Sequence, residues 1–359
     1  MAAQENKISI IDPSQDNMWD EFVAQHPNGW LCHLAGWKQL LEMSFSHIKG
    51  YYIVKYKKSN NSICAGLPIY FVKSLLTGKR LVSAPFATLF DPLYSSEGDK
   101  ALLSDAVIQL RRQCKASFIE IRSFQSTGFA NDQRFSSSCF FRHHYLELNE
   151  EPELLKRRFH RTCVRQRINR SLDSHISLKL CENEKDVAEF YALYLITRIR
   201  TNLPPMPYRF FKLLWEIFYP AGNMSILLAQ HEHQSVAGMI LFKFKKRVSA
   251  EFAASDERYK DKSPNHFLFW HAINLAYKEG YSIFDFGRTS VHNQSLLDFK
   301  SHWGTLTLDL TNYMHNGQTK CDVKSSEDKL SYKIAKKVNH YIPRWAYPAF
   351  GEFCYRHLG

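Results

Sequence analysis

The sequence predicts an α/β protein of two lobes, each a mixed β-sheet flanked by helices, followed by a short helical tail. The chain has 359 residues, which suits about two domains of roughly 150 residues each. Apolar residues make up 45% of it and aromatic residues 14%. This composition supplies enough apolar surface for two cores and is unlike that of a disordered chain.

The order helix, β-meander, helix, short strand occurs twice, which indicates an internal duplication. Two short similarities agree with it: "AGLPIYF" at 65–71 with "AGMILF" at 237–242, and "FIEIRS" at 118–123 with "IFDFGRTS" at 283–290. The predicted boundaries are 1–150 for the first lobe, 151–315 for the second lobe, which carries the site, and 316–359 for a linker and a basic, aromatic helical tail.

The elements of the first lobe follow from the spacing of its apolar residues. A polar turn, Ser59-Asn60-Asn61, lies between two apolar runs and predicts a β-hairpin. The predicted elements are helices at 16–25, 34–43 and 97–115, strands at 51–58, 62–72, 79–86, 118–123 and 143–149, and an irregular polar stretch at 124–142.

The second lobe begins with residues 152–171, which are predicted as one basic helix. Its best-marked helix starts at Ser263, which can cap it, and Pro264, which fits its first turn, and ends at Gly280. The other predicted elements are helices at 184–200, 207–219 and 296–300 and strands at 176–181, 224–230, 235–244, 247–255, 283–286 and 305–311.

Charge and cysteine usage narrow the class of protein. The formal net charge of +12 favours anionic partners such as nucleic acid, anionic lipid or phosphorylated substrates. The eight cysteines include no C-x-x-C pair, so free thiols in a reducing cytosol are predicted. No signal peptide and no transmembrane segment is recognisable. We therefore expect a cytoplasmic protein, or one held peripherally at the inner face of the membrane.

Neither a metal site nor a covalent nucleophile is predicted. The histidine-rich segments 142–144 and 231–233 lie at turns or strand starts without a third spaced ligand. No Ser-His-Asp or Cys-His set is recognisable by spacing.

The stretch "IFDFGRTSVHNQSLLDFKSHWG", residues 283–304, concentrates polar groups around one strand end. The strand is predicted to break at Gly287, because glycine permits backbone turns that other residues resist. The break would direct Arg288 and the hydroxyls after it into a cleft at the strand end, where ligands commonly bind. Asp285 needs a partner if it is buried. The structural alternative for Arg288 is an ion pair with Asp285 or Asp298.

Several motifs of the second lobe follow one another in the order and spacing that resembles the Fem-type (FemAB-like) transferases. They are Pro264-Asn265, "FDFG" plus arginine at 284–288, Phe299-Lys300 and Trp303-Gly304. The basic "RRFHRTCVRQRIN" and the aromatic pair in "AGWKQLLEMSFSH" are similar to that family as well. The end of the tail resembles the subgroup associated with exopolysaccharide and exosortase systems. The resemblance implies two tandem acetyltransferase-like (GNAT-type) lobes.

The resemblance also implies transfer of an acyl or aminoacyl group to an amine, with Lys300 as the catalytic residue. Preorganised positive charge stabilises the oxyanion of acyl transfer, and Lys300 can equally bind a phosphate beside the reacting ester. From the residues alone, the alternative is a solvated helix lysine. Core packing is the alternative for Trp37, helix capping for Asn265 and a lysine pair for Glu251. The predicted substrate-binding residues are Arg288, Asp285, Thr289, Phe299, Asn265, Trp37 and Glu251.

The predicted anion-binding residues are Arg157, Arg161 and Arg165, which would share one helix face. Arginine suits this role because its guanidinium binds phosphate in a bidentate manner. A solvated helix face is the alternative.

The acyl donor stays open between aminoacyl-tRNA and acyl-CoA, and no tightly bound cofactor is predicted. Characterised members of the resembled family use aminoacyl-tRNA and a peptidoglycan precursor. The family's long coiled-coil insertion is missing here, which argues against tRNA. The segment "DERYKDKSPNHF" has no glycine where a CoA enzyme places its phosphate-binding turn, which argues against CoA in its usual pose.

We therefore expect a transferase that forms an amide on a cell-envelope or exopolysaccharide precursor. The alternatives are a CoA-dependent N-acetyltransferase and a non-catalytic protein that binds polysaccharide or lipid-linked sugar. The tail at 330–359 has two interpretations: packing against the body as short helices, or contact with an anionic membrane through its basic and aromatic residues.

Overall fold

The structure, a computed structural model, describes residues 8–15, 17–57, 59–125, 128–317 and 342–358. Their contacts divide them into two compact units. Within the described ranges, the first unit contains 8–140, 309–317 and 355–358, and the second contains 141–308 and 342–354.

The first unit is a mixed sheet with three helices. The sheet order is β1-β2-β3-β4-β5 followed by the 309–315 part of β12, and only the β4–β5 pair among these is parallel. The elements are β1 (Ile8–Ile11), α1 (Met18–Gln25), α2 (Ala35–Ser44), β2 (Ile48–Tyr56), β3 (Ile63–Ser74), β4 (Gly78–Val82), α3 (Glu97–Gln113), β5 (Phe118–Ser123) and β12 (Leu306–His315).

A glycine on β3 allows α1 to pack closely on this sheet. Trp19 of α1 is fully buried, and its indole N–H donates to the carbonyl of His33 at 2.7 Å. A Cβ atom at Gly66 would lie 2.3 Å from the Trp19 ring. The large ring therefore fits because residue 66 has no side chain.

The second unit repeats this architecture. Its sheet order is β6-β11-β10-β9-β8-β7, with β10 and β11 parallel and the other neighbours antiparallel. The elements are β6 (Ser136–Glu147, which belongs to this unit from residue 141 onward), α4 (Pro152–Lys156), α5 (Gln166–Asp173), β7 (Ile176–Leu180), α6 (Glu184–Arg200), α7 (Tyr208–Phe218), β8 (Met224–His231), β9 (Gln234–Phe244), β10 (Arg247–Ser255), α8 (Pro264–Lys278), β11 (Ile283–Ser290), α9 (Gln294–Ser301) and α10 (Tyr347–Tyr355, which belongs to this unit up to residue 354).

The predicted α/β class, with mixed sheets and a helical C-terminal segment, is confirmed. Helix α10 packs on the second unit, where the Tyr347 hydroxyl donates to the carbonyls of Arg198 at 3.2 Å and Leu203 at 3.0 Å. Residues 318–341, which include most of the predicted linker and the start of the tail, lie outside the described residues. No helix in the described ranges combines the length and apolar character that a membrane span requires.

Residues 152–171 do not form the single basic helix that the sequence predicts. Helix α4 ends at Lys156, a π-helical turn covers Arg161–Arg165, and α5 follows it. Between them His160 is extended, with φ −56° and ψ 129°. The cause is packing: Phe159 is buried against the Trp303 ring at 5.3 Å, and the His160 N–H donates to the carbonyl of His302 at 2.8 Å.

Two strand predictions also need correction. Strand β6 begins at Ser136, inside the stretch predicted to be irregular. Alternate residues of 136–140 are exposed, so this part of the strand has few apolar residues and shows no strand pattern in the sequence. Strand β11 does not end at Gly287 but continues to Ser290. The glycine marks an irregularity within the strand, which is central to the site described next.

Candidate active site

A β-bulge in β11 forms the centre of the candidate site. Asp285 is opposite Tyr145 of β6, whereas Arg288 is opposite His143, so Phe286 and Gly287 together face the single residue His144. Gly287 has φ 69°, a left-handed conformation that glycine adopts without a steric penalty. Such bulges are frequent beside active sites, where they reorient side chains and backbone groups.

The parallel neighbour of β11 carries a second bulge. In β10 the pairing with β9 shifts between Ala250 and Phe252, so Glu251 is the extra residue. Glu251 is half-buried and accepts a hydrogen bond from the Ser249 hydroxyl at 2.7 Å. The sheet is therefore irregular on two adjacent strands at the same place.

Lys300 of α9 is held at the β11 bulge. It is only 5% exposed, and its Nζ donates to the carbonyls of Gly287 at 2.8 Å and Arg288 at 3.3 Å. Burial lowers the pKa of Lys300 to about 7, although the negative charges of Glu251 and Asp285 act to raise it. Lys300 is thus a buried amine at a bulge and not a solvated helix lysine.

Asp285 is fully buried in an ion-pair network. Its carboxylate contacts His143, and it accepts a hydrogen bond from Arg247 at 2.6 Å. Burial favours the neutral acid, but the charges and hydrogen bonds of His143 and Arg247 outweigh it and lower the pKa of Asp285. His143 and Arg247, and not Arg288, are therefore the ion-pair partners of Asp285. The Arg288 guanidinium lies 4.6 Å from the centre of the Phe141 ring.

Two buried polar atoms beside the bulge have no hydrogen-bond partner among the described residues: Thr289 Oγ1 and His144 Nε2. Both residues are 2% exposed. His144 Nδ1 lies 3.1 Å from the Thr305 hydroxyl, which donates to the Lys300 carbonyl. Burial and then the nearby Lys300 charge lower the pKa of His144 to about 4. Unsatisfied buried groups cost free energy, so their concentration here is typical of a binding site.

Sequence reasoning identified Lys300 and Thr289 but missed His144. In the sequence, the motif "RHH" at 142–144 suggests only a metal ligand, and the missing third ligand argues against that role. The position of His144 opposite Phe286-Gly287 depends on the β6–β11 pairing, which joins segments about 140 residues apart. No local signal in the sequence could have revealed that pairing.

The other predicted substrate-binding residues make structural contacts. The Asn265 amide donates to the Ser255 hydroxyl at 3.2 Å. The Phe299 ring lies 5.4 Å from the His266 ring and 5.7 Å from the Phe269 ring. Trp37 is 1% exposed on α2 of the first unit. The structure brings together Lys300, Glu251, Thr289 and the Asp285 network.

The start of α8 differs from the predicted cap. Ser263 has a left-handed φ of 56°, and its buried hydroxyl has no hydrogen-bond partner among the described residues. Its N–H donates to the Lys260 carbonyl at 3.1 Å, and the His266 N–H donates to the Ser263 carbonyl at 3.0 Å. Pro264 has no N–H. Several of the donors that a phosphate-binding helix start would offer are thus used internally or missing.

The basic segment places its arginines on different local structures. Arg157 follows α4, whereas Arg161 and Arg165 belong to the π-helical turn beyond the extended His160. They therefore do not share one helix face as predicted. In the described part of the chain, none of the three forms an ion pair, and Arg157 and Arg161 are exposed. Their charges are available to an anion.

Three potential metal ligands come together beside this segment. Ligand atoms of His160, Cys163 and His302 lie within 4.8 Å of one another. However, His160 Nδ1 accepts a hydrogen bond from the Cys163 N–H at 3.2 Å, and Arg161 and Arg165 add positive charge to the same turn. Both features disfavour a bound cation.

Comparisons with known proteins show what the fold is similar to. A family model described as an acetyltransferase (GNAT) domain matches residues 158–301, a range that includes Glu251, the β11 bulge and Lys300. A search of curated proteins finds no match.

Solved structures extend the likeness to most of the chain. The crystal structure of FemX aligns with a TM-score of 0.66 and 14% identity, covering 86% of this chain and 98% of that one. The structure of L-PGS from Bacillus licheniformis aligns with a TM-score of 0.57 and 12% identity, covering 92% and 97%. A tandem GNAT protein from the clavulanic acid biosynthesis pathway aligns with a TM-score of 0.56 and 11% identity, covering 89% and 100%.

The fold is therefore that of the tandem GNAT-like proteins. Residues 158–301 match the family model of the acetyltransferase (GNAT) domain, and the chain shares its fold with FemX and with the tandem GNAT protein. The predicted resemblance to the Fem-type, GNAT-like proteins is confirmed at the level of the fold.

Proposed function

We propose that the protein transfers an acyl or aminoacyl group from an anionic donor to an amine on a cell-envelope or exopolysaccharide precursor. The observation that carries the proposal is the buried Lys300 amine, held by two backbone carbonyls at the β11 bulge. The acetyltransferase (GNAT) domain match over residues 158–301 supports acyl transfer as the reaction class.

In this reaction the acceptor amine attacks the ester or thioester carbonyl of the donor. A C–N bond forms, and the carbonyl oxygen becomes an oxyanion. Collapse of that intermediate breaks the bond to the leaving alkoxide or thiolate, and the proton lost by the amine passes to a base or to water. The product is an amide.

Lys300 stabilises the oxyanion in this proposal. An ammonium group has three N–H donors, and two of them are directed to the carbonyls of Gly287 and Arg288. The third can donate to the oxyanion, and a preorganised donor of this kind contributes about 3 to 4 kcal/mol to transition-state stabilisation. The two carbonyl contacts fix the position of the amine before substrate arrives.

Glu251 and the two unsatisfied atoms complete the proposed site. The Glu251 charge favours the ionised form of Lys300, and its half-buried carboxylate can accept the proton of the acceptor amine. Thr289 Oγ1 and His144 Nε2 are suited to hydrogen-bond the substrate, because they have no protein partner among the described residues.

The donor is proposed to be a polyanion bound near the basic segment. The net charge of +12 and the unpaired side chains of Arg157, Arg161 and Arg165 in the described structure support this. Aminoacyl-tRNA is the polyanionic donor that the resemblance to the Fem-type transferases implies, and the missing coiled-coil insertion is the feature that argues against it. The start of α8, with its internally bonded N–H groups, supports a donor other than CoA in its usual pose.

The direct test compares Lys300→Ala with the matched control Lys278→Ala, an exposed lysine on α8 of the same unit. Mass spectrometry of precursor pools should show an added mass with the wild type and with the control. The Lys300 variant should lose about 10²- to 10³-fold in transfer rate, as expected for removal of an oxyanion donor. Unchanged circular dichroism would show that the variant is folded, and Lys300→Met gives a second, bulkier replacement.

Transfer by both Lys300 variants at the wild-type rate would contradict the proposed role of Lys300.

The GNAT domain match keeps a CoA-dependent N-acetyltransferase as the second candidate function. Isothermal titration with acetyl-CoA distinguishes the two, since micromolar binding would favour the second. A precursor that is retained by the protein but never changes mass would favour a non-catalytic binding protein.

A further inference from the structure

The turn between β3 and β4 in the first unit exposes two adjacent leucines. Leu75 is 93% exposed and Leu76 is 69% exposed. An isolated exposed leucine is ordinary on a protein surface, but two consecutive ones at the tip of a hairpin are not. This tip has no role in the proposed transfer reaction.

The turn is held in place and is not a loose loop. The Ser74 hydroxyl accepts hydrogen bonds from the N–H groups of Leu76 at 3.1 Å and Thr77 at 3.0 Å. Arg80, which is buried, donates to the His357 carbonyl at 3.2 Å, and the Thr77 hydroxyl donates to the same carbonyl at 3.1 Å. The leucines are therefore presented to solvent by an ordered backbone.

Lysines flank this tip. Lys73 and Lys79 are exposed and lie directly opposite each other in the β3–β4 pair. Like charges in this position destabilise a hairpin in water. Lys49 is exposed on the next strand, opposite Phe71, which lies two residues from Lys73 and therefore on the same face of the sheet. The lysines thus share one surface.

We propose that the hairpin tip 73–79 binds a membrane that contains anionic phospholipid, with Leu75 and Leu76 inserted at the boundary between headgroups and acyl chains. Lys49, Lys73 and Lys79 would contact the headgroup phosphates, which relieves the repulsion between the opposed lysines. Apolar side chains together with flanking cations are the combination that such surfaces bind. This inference concerns the first unit and does not depend on the proposed function.

The size of the tip favours a bilayer over a protein partner. A stable protein interface buries about 800 Å² on each partner, and two leucines on a convex turn provide much less. A bilayer needs no complementary pocket and adapts to a small protruding tip.

The test is sedimentation of the full-length protein with vesicles of phosphatidylcholine alone and of phosphatidylcholine mixed with phosphatidylglycerol. The variant is L75S/L76S. The matched control is L172S/L180S, which replaces two leucines that are 45% and 47% exposed in the second unit. The wild type and the control should bind the anionic vesicles, and L75S/L76S should bind at least about tenfold more weakly.

A second variant, K73S/K79S, tests the charge contribution. Each surface lysine near an anionic bilayer contributes about fivefold to binding, so this variant should bind roughly 25-fold more weakly at low salt. Binding of L75S/L76S equal to that of the wild type would place the contact elsewhere on the chain and overturn the proposal. If the wild type bound neither kind of vesicle, the proposal would also be overturned.

Discussion

Lys300 combines burial with a pKa near neutrality, and this combination determines how activity should depend on pH. Its pKa is lowered from 10.5 to about 7, so the ionised fraction falls as pH rises through that value. Only the ammonium form has a third N–H beyond the two that donate to the Gly287 and Arg288 carbonyls, and only this form carries the positive charge that stabilises an oxyanion. We therefore expect the contribution of Lys300 to kcat/KM to decrease above about pH 7.

The matched variant is Lys300→Arg, whose guanidinium stays charged across this range. Its kcat/KM–pH profile should lack the decrease that the wild type shows, even if the absolute rate is lower. A wild-type rate that instead rises through pH 7 with an apparent pKa belonging to Lys300 would identify the amine as a base and contradict the assignment. The measurement is kcat/KM between about pH 5.5 and 9 for both proteins.

At the scale of single elements, the β11 bulge positions Lys300 through the carbonyls of Gly287 and Arg288. Gly287→Ala forces a side chain into a left-handed conformation, at a cost of about 1 to 2 kcal/mol. Gly222→Ala is the matched control, because Gly222 has φ 70° and an added Cβ would meet no atom within 4 Å. Both variants should lose similar stability in urea denaturation, whereas only Gly287→Ala should lose activity.

Equal activity of the two glycine variants would show that the positions of the Gly287 and Arg288 carbonyls do not matter for transfer.

Strand β11 is an element that the sequence predicts only in part. The glycine was recognised, but its effect was predicted as a strand break. A bulge and a break use the same residue, and only the pairing of β11 with β6 distinguishes them.

The elements that the sequence predicted well have local causes. Helix α6 (Glu184–Arg200) and strand β5 (Phe118–Ser123) occur at the predicted residues, and their capping or apolar pattern is complete within the segment. The prediction of one basic helix over residues 152–171 was wrong because Phe159 packs into the aromatic core and interrupts the helix. In the site, Lys300 was predicted through its neighbours in sequence, whereas His144 and the Arg247 partner of Asp285 depend on strand pairing.

At the scale of the whole molecule, each unit contains a strand from a distant part of the chain. In the first unit, residues 311–315 of β12 pair with β5. In the second unit, β6 residues from Phe141 onward pair with β11. The predicted lobe boundary at residue 150 separates both strands from their partners.

We expect the separately expressed fragments 1–150 and 151–359 to aggregate or unfold, because each leaves a sheet edge without its neighbour. The full chain prepared in the same way is the control. Size-exclusion chromatography and thermal unfolding followed by circular dichroism are the measurements. A monomeric fragment with cooperative unfolding would show that the missing strand is dispensable and would support residue 150 as a domain boundary.

The contact between Gly66 and the Trp19 ring couples two positions that are 47 residues apart. A larger residue at 66 becomes acceptable only after the tryptophan has been replaced by something smaller. That first replacement empties a fully buried site and costs about 3 to 5 kcal/mol. Evolution or engineering can therefore alter this pair in one order only, through an intermediate that is much less stable than the present protein.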